Sequence, residues 1–514
     1  MQKKSPSWIL LHLFIIFLTL GSLLTGFRIA TLTHPEIMFF SALLPQGYLH
    51  GTHLLLAFGL VAVVVAYVVY WYFFLAKEPR THSFHRFTIW FGYGAVLIAL
   101  LSGIVLYFNL FSWVGVVDMH YYGALALLVY FVLHVGYHFT KYGSKIFKKI
   151  LIPNELFNKQ LFIILSILGT LFFTLYFTFG TDSHERLTLK TISSKIHIEL
   201  DGKANEKEWK DTKSITLWSF GGANFEDGAT PIEVKAFKNE QEAFFFIRWK
   251  DATKSLKHLP LLKTKEGWRV IENGFYKFDE VDHYEDKLAV MLSTDCSIGA
   301  SKTIHLGGKP LKDKPANWHG KGYHYSHDGQ IHDLWQWKAV RTNDMFVADD
   351  DYIGMPDIVR SGSRRYTAGY LLDAKTSGSY VMNWKWYTPN GIVPKRLPKN
   401  SEPLDANRSS WVVQWYDYDL YSKENDNYPV GTVMPSVIYA SNTFEGDRAN
   451  VRARGVWKDG WWSLELARPL DTGSKYDVPI KDGVCMWVSA FDHAQIAHTR
   501  HTRAIELNFE KDLK

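Results

Sequence analysis

Five long apolar runs occupy the first third of the chain, and after residue 183 they give way to short alternating stretches. The runs are residues 8–27, 49–75, 88–108, 117–139 and 161–179. A helix needs about 20 predominantly apolar residues to span the hydrocarbon of a bilayer, so each run predicts a transmembrane helix. Lys3 and Lys4 precede the first run as they would in a secretory signal. That run is long for a signal, and no small-x-small cleavage site follows it, so we read it as a retained helix. Beyond residue 183, apolar and polar positions alternate in 232–237 and 461–466, and 243–247 is a continuous apolar run. Many short strands punctuated by Gly, Asn and Asp predict a β-sandwich. Residues 256–286 and 390–427 read as loop-rich insertions. The expected fold is an all-α membrane bundle of five transmembrane helices (1–183) followed by an all-β sandwich domain (184–514).

Charge sharpens this division. The net charge is +6, and residues 1–183 carry all of it, with 11 Lys/Arg against 5 Asp/Glu. Residues 184–514 hold 46 of each sign. A basic excess confined to the apolar part excludes a nucleic-acid partner, which would face a basic folded domain. Ten of those 11 basic residues precede the first run, separate the second from the third, or separate the fourth from the fifth; only Arg28 lies opposite. The positive-inside rule then puts the N-terminus in the cytoplasm. Five crossings put the second domain outside, which for a bacterial inner membrane is the periplasm.

Ionisable side chains in hydrocarbon are costly and mark function by default. His12 lies in the first run, His50 and His53 in the second, and His120, His134 and His138 in the fourth. His120 and His134 are 14 residues apart, about 40° short of four full turns, so they share a helix face about 21 Å apart along the axis. Depth pairs His12 with His134 inside and His53 with His120 outside. Two stacked bis-histidine haems fit that pattern, because two imidazoles satisfy both axial positions of the iron. His50 and His138 are the alternates of their neighbours. His82 and His85, in the basic loop, read as solvated. With ligands on the first, second and fourth helices and a 14-residue step on the fourth, residues 5–150 resemble the di-haem cytochrome b subunits of membrane formate dehydrogenases and nickel-iron hydrogenases. That resemblance implies two b-type haems and exchange with quinone. No residue marks a quinone pocket.

The outer half carries 15 of the 19 Trp. Several local phrases stand out: Leu200-Asp201-Gly202 with Glu208-Trp209, Arg248-Trp249-Lys250-Asp251, Asp333-Leu334-Trp335-Gln336-Trp337-Lys338-Ala339, Trp462-Ser463-Leu464-Glu465-Leu466-Ala467-Arg468-Pro469-Leu470 and Ser489-Ala490-Phe491-Asp492. In that order, across residues 187–510, they resemble the haem-binding gamma subunit of ethylbenzene dehydrogenase and its relatives in the dimethyl-sulfoxide-reductase group. The resemblance implies one b-type haem held by a sandwich, with a Met ligand before the Trp-x-Trp-Lys phrase and a Lys near the last strand. This chain has no Met between Leu292 and Leu334 and offers His305, His319, His324, His327 and His332 instead. Near the last strand it offers His498 and His501. We expect His319 and His501 as the pair, with His305, His324 and His498 as rivals.

Asp349-Asp350-Asp351 reads as an exposed loop, since three adjacent acids rarely converge on one calcium ion. Cys296 and Cys485 are too few for a disulfide scaffold, and pairing between them stays open. There is no Ser-His-Asp arrangement, no paired catalytic carboxylates and no zinc signature, so the chain is not expected to be an enzyme by itself. The expected function is electron transfer between quinone and a periplasmic redox protein or molybdoenzyme-type partner, in contact with membrane lipids. The alternatives are a membrane-anchored carbohydrate-binding sandwich and a haem reductase acting on an external acceptor.

Overall fold

The fold is that of a computed structural model, which describes residues 5–74, 83–110, 115–152, 159–180, 185–271, 283–297, 300, 302–307, 323–356, 369–373, 380–388, 391–399, 411–441 and 444–510. The chain divides into two compact units, Met1–Ser183 with Ser297–Ser301 and His305–Gly307, and the remainder.

The first unit contains five helices long and apolar enough to cross a membrane: α1 Pro6–Ala30, α2 Leu49–Phe74, α3 Ser83–Phe108, α4 Val116–Tyr142 and, after the short α5 Lys145–Leu151, α6 Lys159–Phe179. α1 starts where Ser5 caps it: the Ser5 hydroxyl accepts the amide of Trp8 at 3.3 Å, and Pro6 supplies a first-turn residue that needs no hydrogen bond. α1 packs on α2, and α3 packs on α4. Their outward faces expose Phe17, Trp90, Leu97, Phe162 and Phe177, the apolar surface a bilayer would cover. Polar side chains within the helices bond back to their own backbone: Thr25 to the carbonyl of Gly21 (2.7 Å), Thr88 to Phe84 (2.9 Å) and Ser102 to Ile98 (2.6 Å).

The second unit is a sandwich whose two sheets share strands at both corners. One sheet runs Glu185–Thr191, Ile505–Phe509, Cys485–Phe491, Lys287–Ser293, His332–Lys338 and Val347–Ile353. The other continues from Val347–Ile353 through Val451–Lys458, Trp461–Pro469, Glu242–Lys250 and Ala229–Lys238, with Ile215–Phe220 beside the last. Glu185–Thr191 also pairs with Ala229–Lys238 through Lys190 with Phe237 and Thr191 with Lys238, so ten strands close into a ring. The alternating and apolar segments seen in the sequence lie in these strands. Between the sheets Trp249, Trp335, Trp337 and Trp462 are all but fully buried, and the rings of Trp337 and Trp462 are 4.9 Å apart. Gly455 is required there, since a Cβ would stand 2.4 Å from the Trp337 ring. Cys296 and Cys485 form a disulfide with 5.5 Å between their Cα atoms.

Two expectations need correction. The insertions at 256–286 and 390–427 are not only loops. Parts of both pair into a separate five-stranded sheet in the order Trp386–Thr388, Gly391–Val393, Gly267–Val270, Leu261–Thr264, Val433–Met434. Leu261, Trp268, Ile392, Leu397 and Met434 give it a small core, assembled from apolar residues too far apart in sequence to show a period. Asp349-Asp350-Asp351 is not an exposed loop: it lies on Val347–Ile353, and all three residues are 0% exposed.

Candidate functional site

In the first unit the histidines come together in pairs. The rings of His53 (α2) and His120 (α4) have centroids 6.2 Å apart, and those of His12 (α1) and His134 (α4) are 6.3 Å apart. Two imidazoles that share a metal through Nε2 at about 2.0–2.1 Å, each ring centre about 1.1 Å beyond its nitrogen, have centroids about 6.3 Å apart. The observed spacings are compatible with that arrangement.

The outer pair is also held from behind. His53 Nδ1 lies 3.0 Å from the Thr25 hydroxyl, and His120 Nδ1 lies 3.0 Å from both the Ser102 hydroxyl and the carbonyl of Ala99. Both hydroxyls donate to carbonyls of their own helix, so their oxygens accept the imidazole N–H. That fixes the tautomer and leaves Nε2 for a metal. Glycine makes room for each ring. A Cβ on Gly26 would stand 3.1 Å from His53 Cε1, and one on Gly103 would stand 3.2 Å from His120 Cε1. A hydroxyl followed by glycine, Thr25-Gly26 on α1 and Ser102-Gly103 on α3, is a signal the sequence carried and our reading of it missed.

The inner end is more crowded. His85 belongs to α3, not to a solvated loop, and its ring lies 6.3 Å from His134 and 5.0 Å from His138. His12, His85, His134 and His138 thus form one cluster, with His12 stacked on Trp8 (4.6 Å) and His85 on Tyr137 (4.8 Å). His50, the alternate of His53, lies on α2. His82 lies outside the described residues.

Among the described residues of the second unit, one histidine pair has a similar spacing. His324, on Tyr323–His324, and His498 have ring centroids 6.5 Å apart. His498 sits in the connection between the last two strands, which is pinned where the amide of Thr499 donates to Ala490 (2.9 Å) and that of Arg500 to Phe220 (2.8 Å). His498 Nδ1 donates to the carbonyl of Thr499 at 2.8 Å, which directs Nε2 away from the backbone. Burial first, and the Arg500 guanidinium second, push this imidazole down to about 3, so it is in the neutral, metal-binding form. His501 is placed differently. Its Nε2 accepts the amide of Val488 (2.9 Å) and its Nδ1 donates to the carbonyl of Arg503 (2.7 Å), which engages both ring nitrogens with main chain. His319 lies outside the described residues. His305 groups with the first unit, and His332 is held by the Ser293 hydroxyl at 2.8 Å.

The phrases that carried the family resemblance are mostly sandwich interior. Lys338 pairs with Asp349, which also takes the Arg448 guanidinium (2.8 Å) and the Tyr380 hydroxyl (2.8 Å). Burial alone would raise the Asp349 carboxyl, but Arg448 and Lys338 outweigh it and hold it at about 2. Arg468 reaches Asp333 and Asp477, both at 3.0 Å.

Among solved structures, the chain is similar to a carbohydrate-binding module of family 9 from Caldicellulosiruptor kristjanssonii in complex with cellotriose, at 7% identity and TM-score 0.22, covering 64% of this chain and 96% of that one. It is also similar to a putative carbohydrate-binding protein from Bacteroides uniformis, at 8% identity and TM-score 0.24, covering 64% of this chain and 100% of that one. No curated protein matches. The family model described as ethylbenzene dehydrogenase matches residues 206–503, more than half of the chain, and the chain belongs to that family.

Proposed function

We propose that this protein is a membrane-bound b-type cytochrome that passes electrons between the quinone pool and a periplasmic redox partner. The observation that carries the reading is the repeated spacing of imidazole pairs: His53 with His120, His12 with His134, and His324 with His498, at 6.2–6.5 Å. These are the residues that would hold two haems in the helices and one in the sandwich. With both axial positions filled, haem supplies one-electron transfer and leaves no open site for substrate chemistry. The chain's own contribution is orientation. Thr25 and Ser102 fix the His53 and His120 rings, Gly26 and Gly103 clear their approach, and the Thr499 carbonyl turns His498. The basic loops support a cytoplasmic N-terminus and an outer sandwich.

A redox-titrated visible spectrum of the purified full-length protein, with pyridine-haemochrome quantitation, tests this. The expected result is three non-covalent low-spin b haems per chain. A chain that carries no haem after expression with ample haem supply would end the proposal. Two haems would confine it to the helices.

A further inference from the structure

Three aspartates inside the sandwich gather around a single guanidinium, and a fourth, Asp373, stands beside them. Asp333, Asp350 and Asp477 each present an oxygen, and those oxygens lie within 4.8 Å of one another. The register explains the first two. Asp333 stands opposite Tyr352 and Asp350 opposite Trp335, so the two aspartates are diagonal neighbours on one face. The amide of Asp373 donates to the carbonyl of Asp350 at 3.3 Å, and its carboxyl lies against that of Asp477. Arg468 is 3.0 Å from Asp333 and from Asp477. Lys338 and Arg448 are committed to Asp349, whose side chain points to the opposite face of the same strand.

Ionised, four carboxylates against one guanidinium leave three buried negative charges, and each uncompensated charge costs several kcal/mol or more. Hydrogen bonds do not relieve this. Asp333 Oδ2 accepts the amide of Val478 (3.1 Å), and Asp477 Oδ2 accepts the Thr472 hydroxyl and the Asn450 amide (3.2 Å). Six further oxygens are buried with no donor: Asp333 Oδ1, both of Asp350, both of Asp373 and Asp477 Oδ1. Asp350 is decisive, because it is 0% exposed and no amide, hydroxyl or cationic donor bonds to either of its oxygens, which face the Asp333 carboxyl.

We propose that Asp333, Asp350, Asp373 and Asp477 bind one calcium ion. All the donors are hard carboxylate oxygens, with no nitrogen or sulfur to draw a softer metal. Calcium takes six to eight oxygens at 2.3–2.6 Å, and two oxygens that share an ion at about 2.4 Å stand at most about 4.8 Å apart. Magnesium keeps several of its waters and demands a near-ideal octahedron, which suits a dry carboxylate cluster poorly. The dication lowers the residual charge from three to one. It also ties His332–Lys338 and Val347–Ile353 to the segments that bear Asp373 and Asp477, so it acts as a structural clamp.

The test uses the full-length protein in detergent. Calcium content is measured by mass spectrometry after gel filtration in chelator-free buffer, and thermal unfolding of the sandwich is followed with calcium, magnesium or EGTA added. One calcium per chain, a melting temperature lowered by EGTA and restored by calcium but not by magnesium, and loss of all three effects in Asp350→Asn are expected. Removing this ligand should weaken calcium binding about 100-fold or more, at least as much as losing a supporting group does. Asp373→Asn, at a position with slight exposure, is the second variant should Asp350→Asn fail to fold, and it should show the same loss. Asp251→Asn, in the separate group with Asp286 and Asp492, should keep its calcium. If the wild-type chain holds no calcium at millimolar concentrations, protons neutralise the cluster and the proposal is wrong. It is equally wrong if the aspartate variants retain the ion, or if magnesium protects as well as calcium does.

Discussion

Glu285 carries more of the sandwich than any phrase in the sequence announced. It is 0% exposed, its carboxylate accepts the amides of Val340 (2.5 Å) and Arg341 (3.0 Å) and the Arg341 side chain, and it lies 3.0 Å from His258 Nδ1. Burial alone would raise this carboxyl; Arg341 and His258 reverse that and hold it well below the ordinary carboxylate range. Replacing it with Gln removes the buried carboxylate that the Arg341 guanidinium meets, so Glu285→Gln should destabilise the sandwich by about 3–5 kcal/mol at pH 7. The pH dependence has a definite sign. A carboxyl depressed in the fold lends its full stability above its unfolded pKa and loses it as pH falls from about 4.5 toward the folded value. Denaturant unfolding of the full chain at pH 7 and pH 4 should show the gap between wild type and variant narrowing at the lower pH. An unchanged gap would mean that Glu285 acts through packing and not through charge. At this scale little was legible. Arg448 reaches Asp349 across 99 residues, and Glu285 meets Arg341 across 56. A run of three acids reads as solvated loop until its distant cations are in view.

At the scale of elements, periodicity did most of the work. The five apolar runs fall on α1, α2, α3, α4 and α6, residue 75 lying outside the described residues, because in each the length and unbroken apolar character leave one solution in a bilayer. The 14-residue step lies on one helix, α4, and the rings of His120 and His134 stand 6.2 and 6.3 Å from those of His53 and His12. What the step could not reveal was α3, which begins early enough to bring His85 into the inner cluster. That element sets the next prediction. His134 has ring neighbours in His12, His85 and His138, so it is the hub of the inner group. His134→Ala should remove one b haem and leave the one held by His53 and His120. His85→Ala should leave haem content unchanged if His12 is the second ligand. Pyridine-haemochrome quantitation of the two purified variants decides. Haem loss in His85→Ala with retention in His12→Ala would transfer the ligand role to α3.

Across the whole molecule, the uneven charge and the one disulfide bear on the same question by separate routes. Under the proposed topology ten basic residues fall on one side of the membrane and a single arginine on the other, and residues 184–514 are neutral in sum. Loop charge of this kind is retained on the cytoplasmic side. Under the proposed topology of five crossings, the sandwich lies across the membrane from the compartment in which the chain began. Cys296 and Cys485 are bonded within it, and such bonds persist in oxidising compartments and are rare in the cytosol. A fluorescent reporter that matures only in the cytoplasm, fused after Lys514, should therefore stay dark. The same fusion placed before the first helix should be bright. Alkylation of the unreduced chain should leave both cysteines unmodified, and reduction under denaturing conditions should open both. A bright C-terminal fusion would overturn the orientation, and with it any delivery of electrons to an outer partner. A dark fusion with freely alkylated cysteines would keep the orientation and detach the disulfide from the argument.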